Sequence, residues 1–301
     1  MRLWNVLTGL FNFLGICTRA VNDFLGKNGP QLAAAISYFA FFSLFPLSLA
    51  IIFGLSFFLG PDSIEDLAQR VAEQAPVSKK TVSDVLTGTL NSRSLAGSAG
   101  IIGLLWAGTA VFGAIRKGVN ATWGITRPRP FLQERLIDIS LMLGAAILML
   151  VSISSTAILA FLREILASET HVDGALFWDR LATLIPPALS FIVFTGIYWF
   201  LPNTKVKLKA ALPGAIAATI TFEFIKNAFV WYVGNYSIYS TVYGSVGSIV
   251  ALLSWVYMSA IILLFGSLIT YRYTTYRSAK ERQLEDIVEI ARASLQPVSR
   301  E

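Results

Sequence analysis

The chain has 301 residues, of which 55% are hydrophobic and only 14% are charged, and its mean hydropathy is +0.63. Soluble domains carry roughly 25% charged residues, so this composition excludes an ordinary soluble protein and favours a single membrane domain. One cysteine, Cys17, and one histidine, His171, cannot supply an internal disulfide or a Cys/His metal cluster. We therefore expect no metal or other cofactor.

The N-terminal arm, residues 1–31, begins with an amphipathic pattern. Its apolar residues recur at helical spacing, opposite Asn5 and Asn12, and are Leu3, Val6, Leu7, Leu10, Phe11 and Leu14. This pattern predicts a helix that lies in the membrane interface. An ordinary helix packed on the membrane domain is the alternative.

Six stretches of the chain are long and apolar enough to cross a hydrocarbon core of roughly 30 Å. The first four are residues 32–59, 95–115, 139–162 and 181–201. An uncharged run over residues 227–271 is too long for one crossing, and its glycines supply a break. The fifth and sixth spans are therefore predicted at residues 210–232 and 246–271. The sequence thus predicts an all-α polytopic membrane protein with six transmembrane helices in a domain over residues 32–271.

The basic residues predict the orientation of these spans. Of the 24 Lys and Arg residues, 17 fall in the N-terminal arm, the second and fourth loops and the C-terminal tail, whereas six fall in the other loops. Cytoplasmic segments retain basic residues, so both termini are predicted to be cytoplasmic. The first outer loop, residues 60–94, is predicted to hold two amphipathic helical pieces.

The C-terminal tail, residues 272–301, has its own apolar stripe. The residues of this stripe are Leu284, Ile287, Val288, Ala291 and Leu295. Their helical spacing among mixed charges predicts a cytoplasmic helix that docks on a protein partner, on a second copy of the chain or on the chain itself.

Glu223 and Lys226 are the only charged residues inside a predicted span. At three residues apart they share one helix face and can form an ion pair. A charge at that depth costs roughly 2.5–3.5 kcal/mol on insertion scales, so it normally faces a partner or a polar cavity. We expect the pair to line a substrate pocket. The alternative is structural: Lys226 reaches toward the outer interface and Glu223 neutralises it.

The first predicted span offers further pocket candidates. Pro46 removes a backbone hydrogen bond and can kink the helix, while Tyr38 and Ser43 offer polar groups to the interior. We expect these three residues to line and shape the substrate pocket, with a plain packing role as the alternative.

Four basic residues near the second inner loop form a further candidate site. Arg116, Lys117, Arg127 and Arg129 can hold anionic lipid headgroups, although the orientation of the spans alone also requires basic residues here.

Enzymatic chemistry finds little support in the residues. The sequence has no phosphate-binding glycine loop, no HExxH motif and no serine or cysteine nucleophile with a matching histidine. His171 is predicted on the outer side, so a cytoplasmic nuclease would lack a histidine on the correct face. We expect no catalytic residues, no enzyme activity and no nucleic-acid partner.

Several short motifs occur in a characteristic order. They are Gln31-Leu32-Ala33-Ala34-Ala35 with Tyr38, Ser43-Leu44-Phe45-Pro46, Asn120 with Trp123, Leu212-Pro213-Gly214, and Tyr243-Gly244-Ser245 with Trp255 and Gly266. Over about residues 27–272 the chain resembles the YihY/BrkB family of bacterial inner-membrane proteins. The resemblance implies a multi-pass protein of the bacterial inner membrane. It also implies a role in handling envelope lipids, in a group linked by name to serum resistance and once labelled a tRNA-processing ribonuclease.

One departure from the family pattern directs attention to the fifth span. The family commonly has an acidic residue two positions after the glycine late in the sixth span, but Gly266 is followed there by Leu268. A mechanism that depends on that carboxylate is not expected here, which leaves Glu223 as the acidic candidate.

Together these features predict a transporter or flippase-like handler of an amphipathic, anionic envelope molecule, with membrane lipids as partners. The second hypothesis is a membrane-embedded scaffold or assembly factor for envelope biogenesis, which would act through the C-terminal tail. An enzyme acting through an outer-loop carboxylate is the third.

Overall fold

Helices account for all regular secondary structure in the described part of the chain. The structure is a computed structural model, and it describes residues 19–55, 93–127, 129–167, 175–235 and 244–295. Within those ranges the all-α prediction is confirmed, and no strand occurs. The amphipathic stripe predicted in the N-terminal arm and the helices predicted in the first outer loop lie outside the described residues.

Seven helices occur within these ranges. They are α1 (residues 19–26), α2 (Gly29–Leu55), α3 (Arg93–Thr122), α4 (Phe131–Ala167), α5 (Ala175–Phe200), α6 (Leu208–Asn235) and α7 (Gly244–Leu295). Each of the six predicted spans falls on one of the helices α2 to α7, in order. Long apolar runs therefore located the helices correctly.

Four helices are long and apolar enough to cross a membrane, counted over the described residues. The qualifying segments are Phe131–Ser152, Thr183–Phe200, Leu208–Val233 and Ile249–Val288. Helix α2 adds a shorter apolar segment, Gly29–Leu44. Helix α3 is not among them; it is rich in glycine and carries Arg116 and Lys117 near its end. The structure thus has several membrane-spanning candidates, but it does not establish six crossings.

The loop between α3 and α4 is shorter than residues 116–138, the gap between the second and third predicted spans. Helix α3 continues past the apolar run and ends where Gly124 adopts a φ of 69°, a conformation that glycine reaches at little cost. The N–H of Ile125 then donates to the carbonyl of Asn120 at 3.0 Å, which closes the helix with a Schellman motif. The connection between the helices shrinks to residues 123–130, because nothing in the flanking polar segments breaks a helix.

The C-terminal tail continues the last predicted span. Helix α7 runs without interruption over 52 residues, or about 78 Å at 1.5 Å per residue. The boundary predicted at residue 271 is therefore not a break in secondary structure. No proline occurs between Gly244 and Leu295, so the sequence offers the helix no strong stop before Pro297.

The packing of the helices is uneven. One third of the apolar α6 segment is buried, 33%, against 6% of the α4 segment, so α6 is central and α4 is peripheral. The main hydrophobic core lies toward the end of the bundle where α3 ends and contains the fully buried Val119, Leu201, Leu264 and Leu268. Among the described residues of α4, most exposed side chains are apolar, which suits a helix that faces lipid.

Helix α1 is the described end of the N-terminal arm. It packs against the end of the bundle where α3 ends. Its Asp23 forms an ion pair with Arg272 of α7. Lys27, in the turn after α1, donates a hydrogen bond to the Thr122 carbonyl at 2.6 Å and lies 4.6 Å from the centre of the Tyr271 ring. Burial lowers the pKa of Lys27, and the Asp23 carboxylate acts in the opposite direction. This end of the arm therefore packs on the membrane domain.

Candidate functional site

A cavity of about 510 Å³ lies between the helices. All six long helices contribute to its wall, including Ala40, Val111, Met149, Ser190, Phe222 and Val256. The lining is mostly apolar, with three serines among its described members. A volume of this size lies within the range of roughly 300–1,000 Å³ that is usual for ligand pockets.

The predicted ion pair lies beside this cavity. The Lys226 ammonium nitrogen is 2.5 Å from Oε2 of Glu223, as their spacing on one helix face predicts. Phe222, which precedes Glu223, lines the cavity together with Ser190 of α5. The side chains of Lys226 and Glu223 remain 33% and 20% exposed, so neither charge is enclosed in the protein core.

Ser190 connects the cavity wall to the pair. Its hydroxyl oxygen lies 3.1 Å from the Pro186 carbonyl oxygen and 3.4 Å from Oε1 of Glu223. The single hydroxyl proton is shared between two acceptors, and the longer contact is a weak hydrogen bond. The arrangement places a polar strip, from Ser190 to Lys226, at the edge of an otherwise apolar cavity.

The structure does not bring Tyr38, Ser43 or Pro46 to this strip. The Tyr38 side chain is 56% exposed and packs on its neighbours Phe39 and Phe42 in the same helix. The Ser43 hydroxyl donates to the Ala40 carbonyl at 2.7 Å, a local bond within α2.

Pro46 faces α3 instead of the cavity wall. Its Cβ lies 3.3 Å from the position that a Cβ on Gly103 would take. None of the three α2 candidates is among the described residues that line the cavity. Ile36 and Ala40 line it in their place.

Arg116 belongs to a buried ion cluster that the sequence did not predict. The side chain is nearly inaccessible, and its Nε lies 2.9 Å from Oδ1 of Asp138 while its Nη1 lies 2.6 Å from Oε1 of Glu134. Asp138 is also buried. Two carboxylates therefore bind the guanidinium group that was predicted from the sequence to bind lipid headgroups. The signal that could have found the cluster is the i,i+4 spacing of Glu134 and Asp138 on one face of α4.

The other basic candidates occupy different surroundings. Lys117 and Arg127 are exposed, and their contact with anionic headgroups stays a prediction. Arg129 instead connects the loop after α3 to the loop after α5, because its Nε donates to the Asn203 side-chain oxygen at 2.9 Å and its Nη2 donates to the Pro202 carbonyl at 3.0 Å.

Comparison with known proteins identifies the family. A family model described as virulence factor BrkB matches residues 20–288, nearly the whole chain. The chain belongs to the BrkB family. This membership confirms the resemblance inferred from the motifs and, with the long apolar helices, makes the chain a membrane protein.

Two relatives of this BrkB chain align with most of their own length. The chain is 33% identical over 246 residues to the ribonuclease-like protein YfkH of Bacillus subtilis (strain 168), which covers 79% of this chain and 87% of YfkH. It is 28% identical over 262 residues to a UPF0761 membrane protein of Actinobacillus pleuropneumoniae, covering 85% and 92% of the two chains.

A further relative is longer. The chain is 27% identical over 253 residues to a UPF0761 membrane protein of Xanthomonas campestris (strain B100) and spans 59% of its length. No solved structure matches the chain.

Two motif glycines of this BrkB protein, Gly214 and Gly266, lie where α6 and α7 make close contact. A Cβ on Gly214 would lie 2.4 Å from the carbonyl oxygen of Gly266, and a Cβ on Gly266 would lie 2.2 Å from the Tyr198 hydroxyl oxygen. No side chain fits at either position without movement of its neighbours. Leu268, two positions after Gly266, is fully buried in the hydrophobic core.

Two further motif residues, Asn120 and Trp123, connect the end of α3 to neighbouring elements. The Trp123 indole N–H donates to the Ser267 hydroxyl at 3.1 Å. The Asn120 side-chain oxygen accepts a bond of 2.8 Å from the backbone N–H of Asn203. These four motif residues therefore serve packing and loop attachment, whereas the cavity and its polar strip lie farther along the helices.

Proposed function

We propose that this BrkB-family chain is a transporter or flippase-like protein that binds an amphipathic, anionic envelope molecule. The observation that carries the proposal is the apolar cavity between six helices, with Ser190, Glu223 and Lys226 at its edge. Apolar walls suit the hydrocarbon part of such a molecule, and a few polar groups suit its headgroup. The ammonium of Lys226 offers the positive charge to an anionic group.

The proposed topology has six crossings, both termini in the cytoplasm and a location in the bacterial inner membrane. The distribution of the 24 basic residues supports this orientation. Fusion of a reporter that is active only outside the cytoplasm tests it. We expect no signal from fusions at either terminus, whereas a signal at one terminus would require an odd number of crossings.

Native mass spectrometry of the purified protein tests the proposed binding. We expect a defined amphiphile that survives gentle removal of bulk lipid and is lost in the Glu223→Gln/Lys226→Met double variant. The matched control is Lys117→Met, which removes one exposed inner charge away from the cavity. Stable protein that carries only random bulk lipid, in the wild type and the variant alike, would contradict the proposal.

A scaffold or assembly factor is the second candidate, and one observation favours it. The C-terminal half of α7 carries Leu284, Ile287 and Val288 at 54%, 62% and 50% exposure, and helix faces of this kind often bind protein partners. Deletion of residues 274–301 separates the candidates. A scaffold predicts loss of function with the membrane domain still folded, whereas the transporter proposal predicts that bound amphiphile persists.

We propose no enzyme activity. The name of the Bacillus relative raises a ribonuclease as an alternative, which would place RNA against the inner basic residues. Arg116, the most central of them, is already paired with two carboxylates and cannot also receive a phosphate without breaking those bonds. Purified protein incubated with labelled RNA tests this, and cleavage that a basic-residue variant abolishes would contradict it.

A further inference from the structure

The cavity has an opening on the outside of the helix bundle, between α4 and α5. Met149 and Ser152 of α4 and Pro186 of α5 all line the cavity and are all exposed; Met149 is 55% exposed. A residue that both lines a cavity and reaches the surface marks its mouth.

The surroundings of this mouth are apolar. Met149 and Ser152 belong to the apolar segment Phe131–Ser152, and Pro186 belongs to Thr183–Phe200. Leu150 and Leu184, next to the mouth along each helix, are 65% and 63% exposed. In a membrane-spanning bundle, exposed leucines at this depth face the hydrocarbon of the bilayer. The mouth therefore opens sideways into lipid.

We infer that this opening is a lateral portal, formed by Met149, Ser152 and Pro186, through which a lipid acyl chain passes from the bilayer into the cavity. The inference rests on the proposed binding of an amphipathic molecule and specifies its apolar part and its route. An acyl chain is the occupant that the chemistry favours, because the walls are mostly apolar and the medium outside the portal consists of acyl chains.

Transfer of a chain through the portal has a low energetic cost. Lipid tails are as apolar as leucine side chains, so a chain exchanges one apolar environment for another. An unfilled apolar cavity also lacks the dispersion contacts that a chain supplies. Helix α4 is peripheral, with only 6% of its apolar segment buried, so little core packing opposes a small outward shift.

The dimensions of the cavity suit an extended chain. Its α5 wall runs from Pro186 to Ile197, a length of about 17 Å at 1.5 Å per residue. Ser190, on that wall, leads to Glu223 and Lys226. A chain that enters at Pro186 and extends toward Ile197 therefore leaves its head near the polar strip.

Photocrosslinking of the full-length protein tests the portal. The protein is reconstituted in phosphatidylcholine vesicles that contain phosphatidylglycerol with a diazirine near the end of one chain, and labelled positions are mapped by peptide mass spectrometry. A parallel sample contains a diazirine-bearing fatty acid, which shares the acyl chain but comes from a different source. We expect label on the α5 wall between Pro186 and Ile197.

Two adjacent substitutions provide the matched comparison. Met149→Trp obstructs the portal. It is expected to reduce label on the α5 wall by about 5-fold or more, which corresponds to the lower end of the usual range of overpacking costs. Leu150→Trp adds the same side chain on the lipid-facing surface beside the portal and leaves the label unchanged. Met149→Ala widens the portal and retains the label, which separates obstruction from the loss of methionine itself.

Equal labelling in the Met149→Trp and Leu150→Trp variants would overturn the portal, as would loss of label in Met149→Ala. Label from only one probe identifies phospholipid or fatty acid as the source and supports the portal in either case. The binding proposal fails separately: it predicts an amphiphile lost with Glu223 and Lys226, and that result does not depend on the route of access.

Discussion

The ion cluster around Arg116 makes the sharpest prediction about stability. Arg116 and Asp138 are 3% and 1% exposed, and Glu134 adds a second carboxylate at 2.6 Å. Removing the cation leaves two carboxylates together, one of them fully buried. Loss of one partner from a buried pair typically costs about 3–5 kcal/mol, so Arg116→Met is expected to lower the free energy of unfolding by that amount.

Reversible unfolding in mixed micelles, induced by sodium dodecyl sulfate and followed by circular dichroism, measures this difference. Lys117→Met is the matched control, because Lys117 is the next residue in α3 and is exposed; it should change stability by no more than about 0.5 kcal/mol.

The double variant tests the pairing itself. Arg116→Met combined with Asp138→Leu removes both buried charges, so its cost should be smaller than the sum of the single costs by about 1 kcal/mol or more. Equal losses for Arg116→Met and Lys117→Met, or strictly additive costs in the double variant, would refute the description of a buried, coupled cluster.

Two further predictions concern the contacts of Gly266 and Ser267 in α7. Gly266→Ala places a Cβ 2.2 Å from the Tyr198 hydroxyl oxygen and should cost about 1–3 kcal/mol through overpacking. Gly144→Ala, whose Cβ meets no atom within 4 Å, should be neutral or stabilising by up to about 1 kcal/mol; equal effects in the same micelle titration would contradict the close approach. Trp123→Phe removes the indole donor to Ser267 and should cost about 0.5–1.5 kcal/mol. Ser267→Ala should then add less in the Trp123→Phe background than alone, and full additivity would argue against the bond.

The helices were predictable because charge is scarce in this chain. Each of the six predicted spans fell on one helix, and the spacing of Glu223 and Lys226 predicted their ion pair. These features depend only on residues close in sequence, so the period of the helix is sufficient to derive them.

Which side of each helix faces the protein and which faces lipid could not be predicted in the same way. In a bilayer both the lipid-facing and the protein-facing sides of a helix are apolar, so periodicity does not show which side is buried. Tyr38 was expected in the pocket for its hydroxyl, yet it lies on the exposed side of α2 while Ala40 lines the cavity. Polarity alone therefore selected the wrong face of α2 for the cavity wall.

Ion pairs between residues far apart in sequence, and the ends of the helices, were not predicted, for related reasons. Arg116 and Asp138 are 22 residues apart, and both were placed in a loop because apolar content alone set the ends of the spans. Once α3 and α4 extend beyond the apolar runs, these residues face each other. The continuation of α7 past residue 271 has the same origin, since polar residues with good helix propensity continue a helix into water.

An experimental structure in lipid nanodiscs tests the central claim most directly. Cryo-electron microscopy, with a bound antibody fragment to add mass, resolves whether the cavity lined by the six helices α2 to α7 holds a molecule. The account predicts elongated density along the α5 wall from Pro186 to Ile197, with its head near Ser190, Glu223 and Lys226. Helices that close onto one another and leave neither a cavity nor density would contradict it.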